Sequence, residues 1–227
     1  KIINVSIKVI RISGDFNFSK LNNKAINHST GDVILMLNND IEFLSDDWGY
    51  LLTSNALRPG IGAVGVKLIY PDKTIQHAGV ILGIGGVAGH SHKYSSMNDA
   101  GYCGRLTYSQ EYSALTAACL AVSRDNWLLV NGLDDVNLPV NYNDVDFCLR
   151  IKEAGYRNLY TPFAELYHHE SVSRGPDTDP QKAARFEKEA LYMKNKWSTF
   201  INNDPCYNPN LSLSHGFTID TSRGKSW

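Results

Sequence analysis

The apolar run Val33 to Leu37 stops abruptly at Asn38, Asn39 and Asp40, and this break constrains the fold more than any other feature of the chain. Five apolar residues without polar alternation are the pattern of a strand buried on both faces in the middle of a sheet. The polar residues then fall at its carboxyl end, where open α/β sheets bind their ligands. Neighbouring segments keep the same rhythm. Val5 to Ile10 alternates like a strand, and Ser19 to His28 sets Leu21, Ala25 and Ile26 at helical spacing before Gly31. Ser45 is placed to cap a helix with Trp48, Leu51, Leu52 and Ala56 on one stripe; Pro59 and Gly60 stop it before the apolar run Ile61 to Tyr70. Strand, helix, strand in this order predicts an α/β fold.

The stretch from Pro71 to Gly104 is rich in glycine, histidine and serine and reads as long loops with short strands, a kind of loop that is often functional. Ser113 to Val122 reads as a buried strand. A short helix from Arg124 to Val130 closes at Asn131 and Gly132, and a second, from Asp144 to Ala154, closes at Gly155. Asp179 and Pro180 open a last helix with Phe186, Ala190, Met193 and Trp197 on one face. Residues 201–227 read as an extended carboxyl-terminal tail, leaving one domain over 1–200.

Composition narrows the function classes. Lysine and arginine number 22 against 23 acids, a net charge of −1 that provides no field for nucleic acid or an anionic membrane. No segment reaches the about eighteen uninterrupted apolar residues of a membrane span, and the opening KIINVSIKVI lacks a signal-peptide pattern. Cys103, Cys119, Cys148 and Cys206 form no C-x-x-C pair and are expected as reduced thiols, which suits a cytoplasmic protein.

Three segments carry chemistry. LNNDIE brings Asn38, Asp40 and Glu42 to a strand end, and a hard divalent cation needs only one or two such carboxylates when a diphosphate supplies the remaining oxygens. YNDVDFCLRIKEAGYR sets Asp144 at a helix start, where unpaired amides and the helix dipole favour an ionised carboxylate able to act as a base. LYHHESVSRG offers His168 and His169 as imidazole ligands that project in different directions. Taken singly, the acidic motifs are also ordinary caps and turns.

Taken together, FNFSKLNN, GDVILMLNNDIE, QHAGV, NDVDFCLRIKEAGYRNLYTP and HHESVSRG, in this order, closely resemble bacterial family 2 glycosyltransferases of the A-type fold, in particular those that build cell-surface polysaccharides. The resemblance covers about Phe16 to Gly175. It implies a mostly parallel sheet flanked by helices and inverting transfer of a hexose-type sugar from a nucleotide-diphosphate sugar to a saccharide or lipid-linked acceptor. It implies that Asp40 and His168 hold a magnesium or manganese ion, that Asn38 and Asn39 lie with Asp40 on the donor side, and that Asp144 is the catalytic base. Asn38 replaces the first acid of the family's D-x-D motif, which removes one charge but keeps an oxygen donor. Asn23 matches a position near the nucleotide. Lys1 falls near the family's third strand, so the chain is expected to be amino-terminally truncated and to have reduced donor binding alone. The expected location is the cytoplasm, at the inner face of the membrane, with any membrane association peripheral and made through the parent protein.

Two other readings compete. The Asn38 substitution and the missing strands would suit a non-catalytic carbohydrate-binding or scaffold module. A nucleotidyltransferase would need a basic, glycine-rich phosphate loop near its start, and none is present. LGIGGVAG matches a dinucleotide-binding pattern only superficially, because GHSHK follows it in place of an apolar helix. His77, His90 and His92 lack an acidic or thiolate companion at metal-ligand spacing and are assigned to acceptor contact, and Asp134 and Asp135 to a turn that could border the acceptor.

Overall fold

In the computed structural model, which describes residues 7–169 and 180–221, the chain runs as α1 (Phe18–Ile26), β1 (Val33–Leu37), β2 (Ile41–Phe43), α2 (Trp48–Ala56), β3 (Ile61–Ile69), β4 (Ile75–His77), β5 (Val80–Leu82), β6 (Ala88–His90), β7 (Gln110–Tyr112), β8 (Cys119–Ser123), α3 (Arg124–Leu129), α4 (Asn143–Glu153), β9 (Arg157–His168), α5 (Pro180–Lys196) and α6 (Ser198–Asn202). Strands β1-β8-β3-β9-β2 form one sheet in that order, with β4 added to β3 and β7 to β9, while β5 and β6 form a separate hairpin.

Every residue of β3 is buried, and its apolar side chains divide between two layers. Val64, Val66 and Leu68 join Leu52 and Ala56 of α2, whereas Ala63 faces the larger cluster that holds Phe147, Leu149 and Ile151 of α4. Helices therefore cover both faces, as the α/β reading expected.

The sense of the sheet is mixed rather than mostly parallel. β8 runs antiparallel to both β1 and β3, and β3 is parallel to β9. So β1, β3 and β9 point the same way, with β8 reversed between two of them. The long excursion through residues 71–118 returns the chain at the sheet edge where β1 and β3 end, and from there β8 can only run back. β1 is accordingly outermost among the described strands rather than central. It is still apolar on both faces: Ile34 and Met36 pack in one cluster, Val33 and Leu35 against the other.

Several local expectations need correction. Residues 7–10 carry no strand, and Val5 and Ser6 lie outside the described residues, as does Asp179. The cap of α2 is Asp47, not Ser45, whose hydroxyl is buried without a hydrogen bond. Of Ser113 to Val122 only Cys119 onward is strand, because residues 115–118 turn to offer backbone groups to the neighbouring segments. The tail has little regular structure, yet it is packed: Tyr207 and Leu211 enter the core, and the Asp204 carboxylate accepts from Leu82 N and Ser113 Oγ. All four cysteines are free, with Cys119 and Cys148 buried as expected.

Helix α4 approaches β3 closely because Gly62 leaves room for it. A Cβ at that position would lie 2.1 Å from Ile151 Cγ2 and 3.1 Å from Tyr156 Cβ. Gly62→Ala should therefore displace α4 and lower stability by about 1–3 kcal/mol, measured as a reduced urea midpoint with an unchanged slope.

Candidate active site

Because β1, β3 and β9 share a direction, their carboxyl ends gather at one edge, and β8 begins there. The hydrogen bond from Asn38 N to Ala118 O, 2.9 Å, joins the end of β1 to the turn before β8. The pairing of Ile41 with His168 joins the Asn38–Asp40 turn to the end of β9. This register brings His168 Nε2 within 3.1 Å of Asp40 Oδ1 and 3.2 Å of Asn38 Nδ2.

The other face of the His168 ring is fixed by Gln76. His168 Nδ1 lies 2.6 Å from Gln76 Oε1, a pure acceptor, so Nδ1 carries the proton and donates it. In the neutral ring Nε2 then presents a lone pair to Asp40 Oδ1, a buried oxygen that receives no hydrogen bond from the described residues. Asn38 Nδ2 is a donor within reach of that Nε2, and a cation set against Nε2 and Oδ1 would satisfy both lone pairs. The donor set, one carboxylate oxygen and one imidazole nitrogen with the Asn38 amide beside it, fits a hard divalent cation completed by diphosphate and water oxygens. Among the described residues there is no group of three His, Cys, Asp or Glu able to hold a metal by themselves. Asn39 is exposed at the turn, and His169 turns outward to Glu42, 3.2 Å away.

Asp144 reaches the same region from α4. Its Oδ2 accepts from Ala117 N at 3.0 Å and its Oδ1 from Val145 N at 2.9 Å. Ala117 adjoins Ala118, the residue bonded to Asn38, so a two-residue stretch connects the base candidate to the Asp40 turn. Desolvation raises the Asp144 pKa above 3.8 despite the hydrogen bonds from Ala117, Val145 and Thr116. Asp144 also lines a pocket of about 190 Å³ with Asn141, Tyr142, Phe186, Val80 and His90.

Asp146, two residues on, has a different task. Its buried carboxylate accepts from Arg150 Nε, Lys196 Nζ and Trp197 Nε1 at 2.8, 2.6 and 2.8 Å, tying α4 to α5. Glu189 of α5 accepts from Val140 N and Asn141 N and holds the approach to α4. Asn23, expected near the nucleotide, spends its amide on Leu133: Nδ2 donates to Leu133 O and Oδ1 accepts from Leu133 N. Asp134 closes its own turn through Asn137 and Tyr192. Of the three loop histidines, His92 faces Phe217 and Tyr102, and burial lowers its pKa to about 4, while His77 and His90 touch each other. Burial also holds His77 well below the ordinary imidazole range.

Sequence reading did not assign Gln76, Thr116, Ala117 or Glu189. Gln76 sits in the quoted QHAGV segment, but its partner lies 92 residues away. Residues 170–175 of the histidine motif lie outside the described residues.

The raised Asp144 pKa has a consequence for stability. At Asp144 the folded state holds the proton more tightly than the unfolded chain, so the contribution of this group to stability is fully present below about pH 3.8 and is lost as pH rises through the folded pKa. Thermal melts across this window should show the stability of wild type relative to Asp144→Asn declining as pH rises; parallel curves would contradict the desolvated environment.

No protein-family model matches the chain. An uncharacterized protein, y4gI, of Sinorhizobium fredii is 48% identical over 218 residues, which are 96% of this chain and 24% of that protein. The O-antigen biosynthesis protein RfbC of Myxococcus xanthus is 34% identical over 213 residues, 92% of this chain and 16% of that protein. An N-acetylglucosaminyl-diphospho-decaprenol L-rhamnosyltransferase of Mycobacterium tuberculosis is 26% identical over 174 residues, 74% of this chain and 56% of that protein. The chain thus spans about a quarter or less of the first two relatives and just over half of the third. Among solved structures, GalNAc-T7 with UDP, GalNAc and Mn2+ superposes with a TM-score of 0.60 at 11% identity over 88% of this chain and 41% of that one. The mannosyltransferase PcManGT of Pyrobaculum calidifontis, in complex with GDP-Man and Mn2+, gives 0.50 at 14% identity over 83% of this chain and 45% of that one. The chain thus has the A-type glycosyltransferase fold, and over part of their length it is similar in sequence to proteins of polysaccharide synthesis.

Proposed function

We propose that this chain carries catalytic machinery that transfers a hexose-type sugar, with inversion, from a nucleotide-diphosphate sugar to a saccharide or lipid-linked acceptor during cell-surface polysaccharide synthesis. The observation that carries this reading is the convergence, through Ala117 and Ala118, of a desolvated carboxylate on Asp144 with the Asp40 and His168 pair. The relatives' names support polysaccharide synthesis and a lipid-linked acceptor, and the solved neighbours' contents support a nucleotide donor with a divalent ion.

In this mechanism Asp144 accepts the proton of the acceptor hydroxyl as that oxygen attacks the anomeric carbon. The new carbon–oxygen bond forms on the face opposite the bond that breaks, and the diphosphate departs with the electron pair. The raised pKa makes Asp144 a stronger base than an exposed aspartate, and its two backbone amides fix the carboxylate's direction. Asp40 and His168 hold a magnesium or manganese ion, Gln76 orients the imidazole, and Asn38 and Asn39 border the donor side. When bound there, such an ion would supply positive charge to offset that of a diphosphate leaving group. Asn23 acts at one remove by holding the turn at Leu133. The parent protein meets a lipid-linked acceptor by peripheral association at the inner face of the membrane.

On the full-length protein with manganese, Asp144→Asn should lower kcat for sugar transfer by about 10²–10⁴-fold with little change in donor KM. Transfer at the wild-type rate would remove Asp144 from the chemistry and return the non-catalytic binding module to the front. Gln76→Leu should leave the fold intact and weaken manganese binding by about 10–100-fold, read by the paramagnetic signal of free Mn2+.

A further inference from the structure

Beside Asp144 the pocket has an aromatic wall that the proton transfer itself does not call for. Tyr142, the residue before α4, and Phe186 of α5 both line it, and their rings lie 5.5 Å apart at 42°. Spacing along α5 sets Phe186 on one face with Ala190, Met193 and Trp197. Those three pack on the core, whereas Phe186 keeps 45% of its surface exposed. Its ring is therefore left open at the pocket instead of being spent on the interior.

Tyr142 is held in a costly conformation. Its φ of 58° is αL, an outlier for a bulky residue, at a position where helices ordinarily take a short polar residue in extended backbone. The surroundings enforce it. The buried Glu189 carboxylate accepts from Val140 N at 2.9 Å and Asn141 N at 3.0 Å, Asn143 Nδ2 donates to Val140 O at 2.8 Å, and Asp146 N donates to Tyr142 O at 2.9 Å. Glu189 stands three residues after Phe186, so one side of α5 carries the second ring and also clamps the backbone that carries the first. Backbone strain held by several converging hydrogen bonds is a feature of ligand-binding sites.

The rest of the pocket sets what fits. Its volume of about 190 Å³ somewhat exceeds the ~150 Å³ of a cavity that takes benzene, so it holds one six-membered ring and not two. Val80 and Val145 add aliphatic surface, and Gly89 adds none; a Cβ there would lie 2.5 Å from Ile84 Cγ2. Asn141 and the Asp144 carboxylate stand beside the rings. A pyranose has the matching two-sided character, with an apolar face of ring C–H bonds and hydroxyls around its edge. A hydrocarbon chain in the same place would press against the Asp144 carboxylate and offer it no hydrogen bond.

We propose that Tyr142 and Phe186 are specificity-determining residues that bind one pyranose ring of the acceptor by its C–H face, with a ring hydroxyl left to Asp144. The acceptor then ends in a sugar and not in a bare lipid phosphate. This deepens the transferase reading and rests on it for the role of acceptor, while the binding of a pyranose to the wall is measured apart from it.

Saturation-transfer spectra of the full-length protein with methyl rhamnoside, glucoside, galactoside and N-acetylglucosaminide test the wall without donor or turnover. At least one glycoside should receive saturation most strongly at the C–H protons of one ring face. For that sugar Phe186→Leu, which keeps an apolar side chain but no ring, should raise Kd by about three- to tenfold. Phe186→Tyr and Tyr142→Phe keep both rings and should hold Kd within about twofold. Melting temperatures identify any variant that loses binding by unfolding, and the saturation pattern of the unmodified protein tests the contact regardless of the variants. No glycoside bound, saturation spread evenly over both ring faces, or Phe186→Leu binding as tightly as Phe186→Tyr would each overturn the proposal. Loss of transfer in Asp144→Asn judges the transferase reading separately.

Discussion

Strand register at one sheet edge is the constraint from which the site follows. Leu37 opposite Cys119 and Ile41 opposite His168 are the last pairs before the chain leaves the sheet, and they fix where Asn38, Ala118, Asp40 and His168 emerge. A slip of one residue in either pairing would turn these side chains to the opposite face. Reversed β8 matters most here, because its starting turn, rather than the end of a parallel strand, supplies the amide that holds Asp144. The mixed sheet is thus the means by which a base candidate on α4 and a cation pair on β1 and β9 come to share one turn.

Two aspartates separated by a single residue illustrate how environment divides roles. Asp146 is buried but receives two cationic donors and an indole N–H, and it fastens α4 to α5. Asp144 is desolvated without a cation among the hydrogen bonds that hold it, and its pKa rises. Burying a paired carboxylate locks structure, whereas burying one held only by neutral amides and a hydroxyl raises its affinity for a proton. That difference makes Asp144, and not its neighbour, the group suited to proton transfer.

The histidines follow the same logic through hydrogen bonds. His168 has its Nδ1 proton claimed by Gln76, and His77 has its Nε2 lone pair claimed by Gly79, so each ring keeps its proton on Nδ1. In both cases a neutral partner selects the tautomer, and no charged group is needed.

Much of this was legible in the residues. The run VILML followed by Asn38, Asn39 and Asp40, the helix opening at Asp144 and the histidine pair at 168 and 169 depend on local period and composition, and those elements formed nearly where expected. What the sequence could not carry was direction and partnership at long range. Nothing local distinguishes a central from an outermost strand when both faces are apolar, so β1 was misplaced in the sheet. Likewise Asp144 and Asp146 share one helix turn, and only the arrival of Lys196 and Trp197, some fifty residues later, makes one of them structural. The sequence by itself determined which short segments are apolar, capped or rich in ligand atoms, because those properties act between near neighbours. The tertiary structure alone decided which of these atoms confront one another, because desolvation, tautomer and register are set by groups tens of residues away.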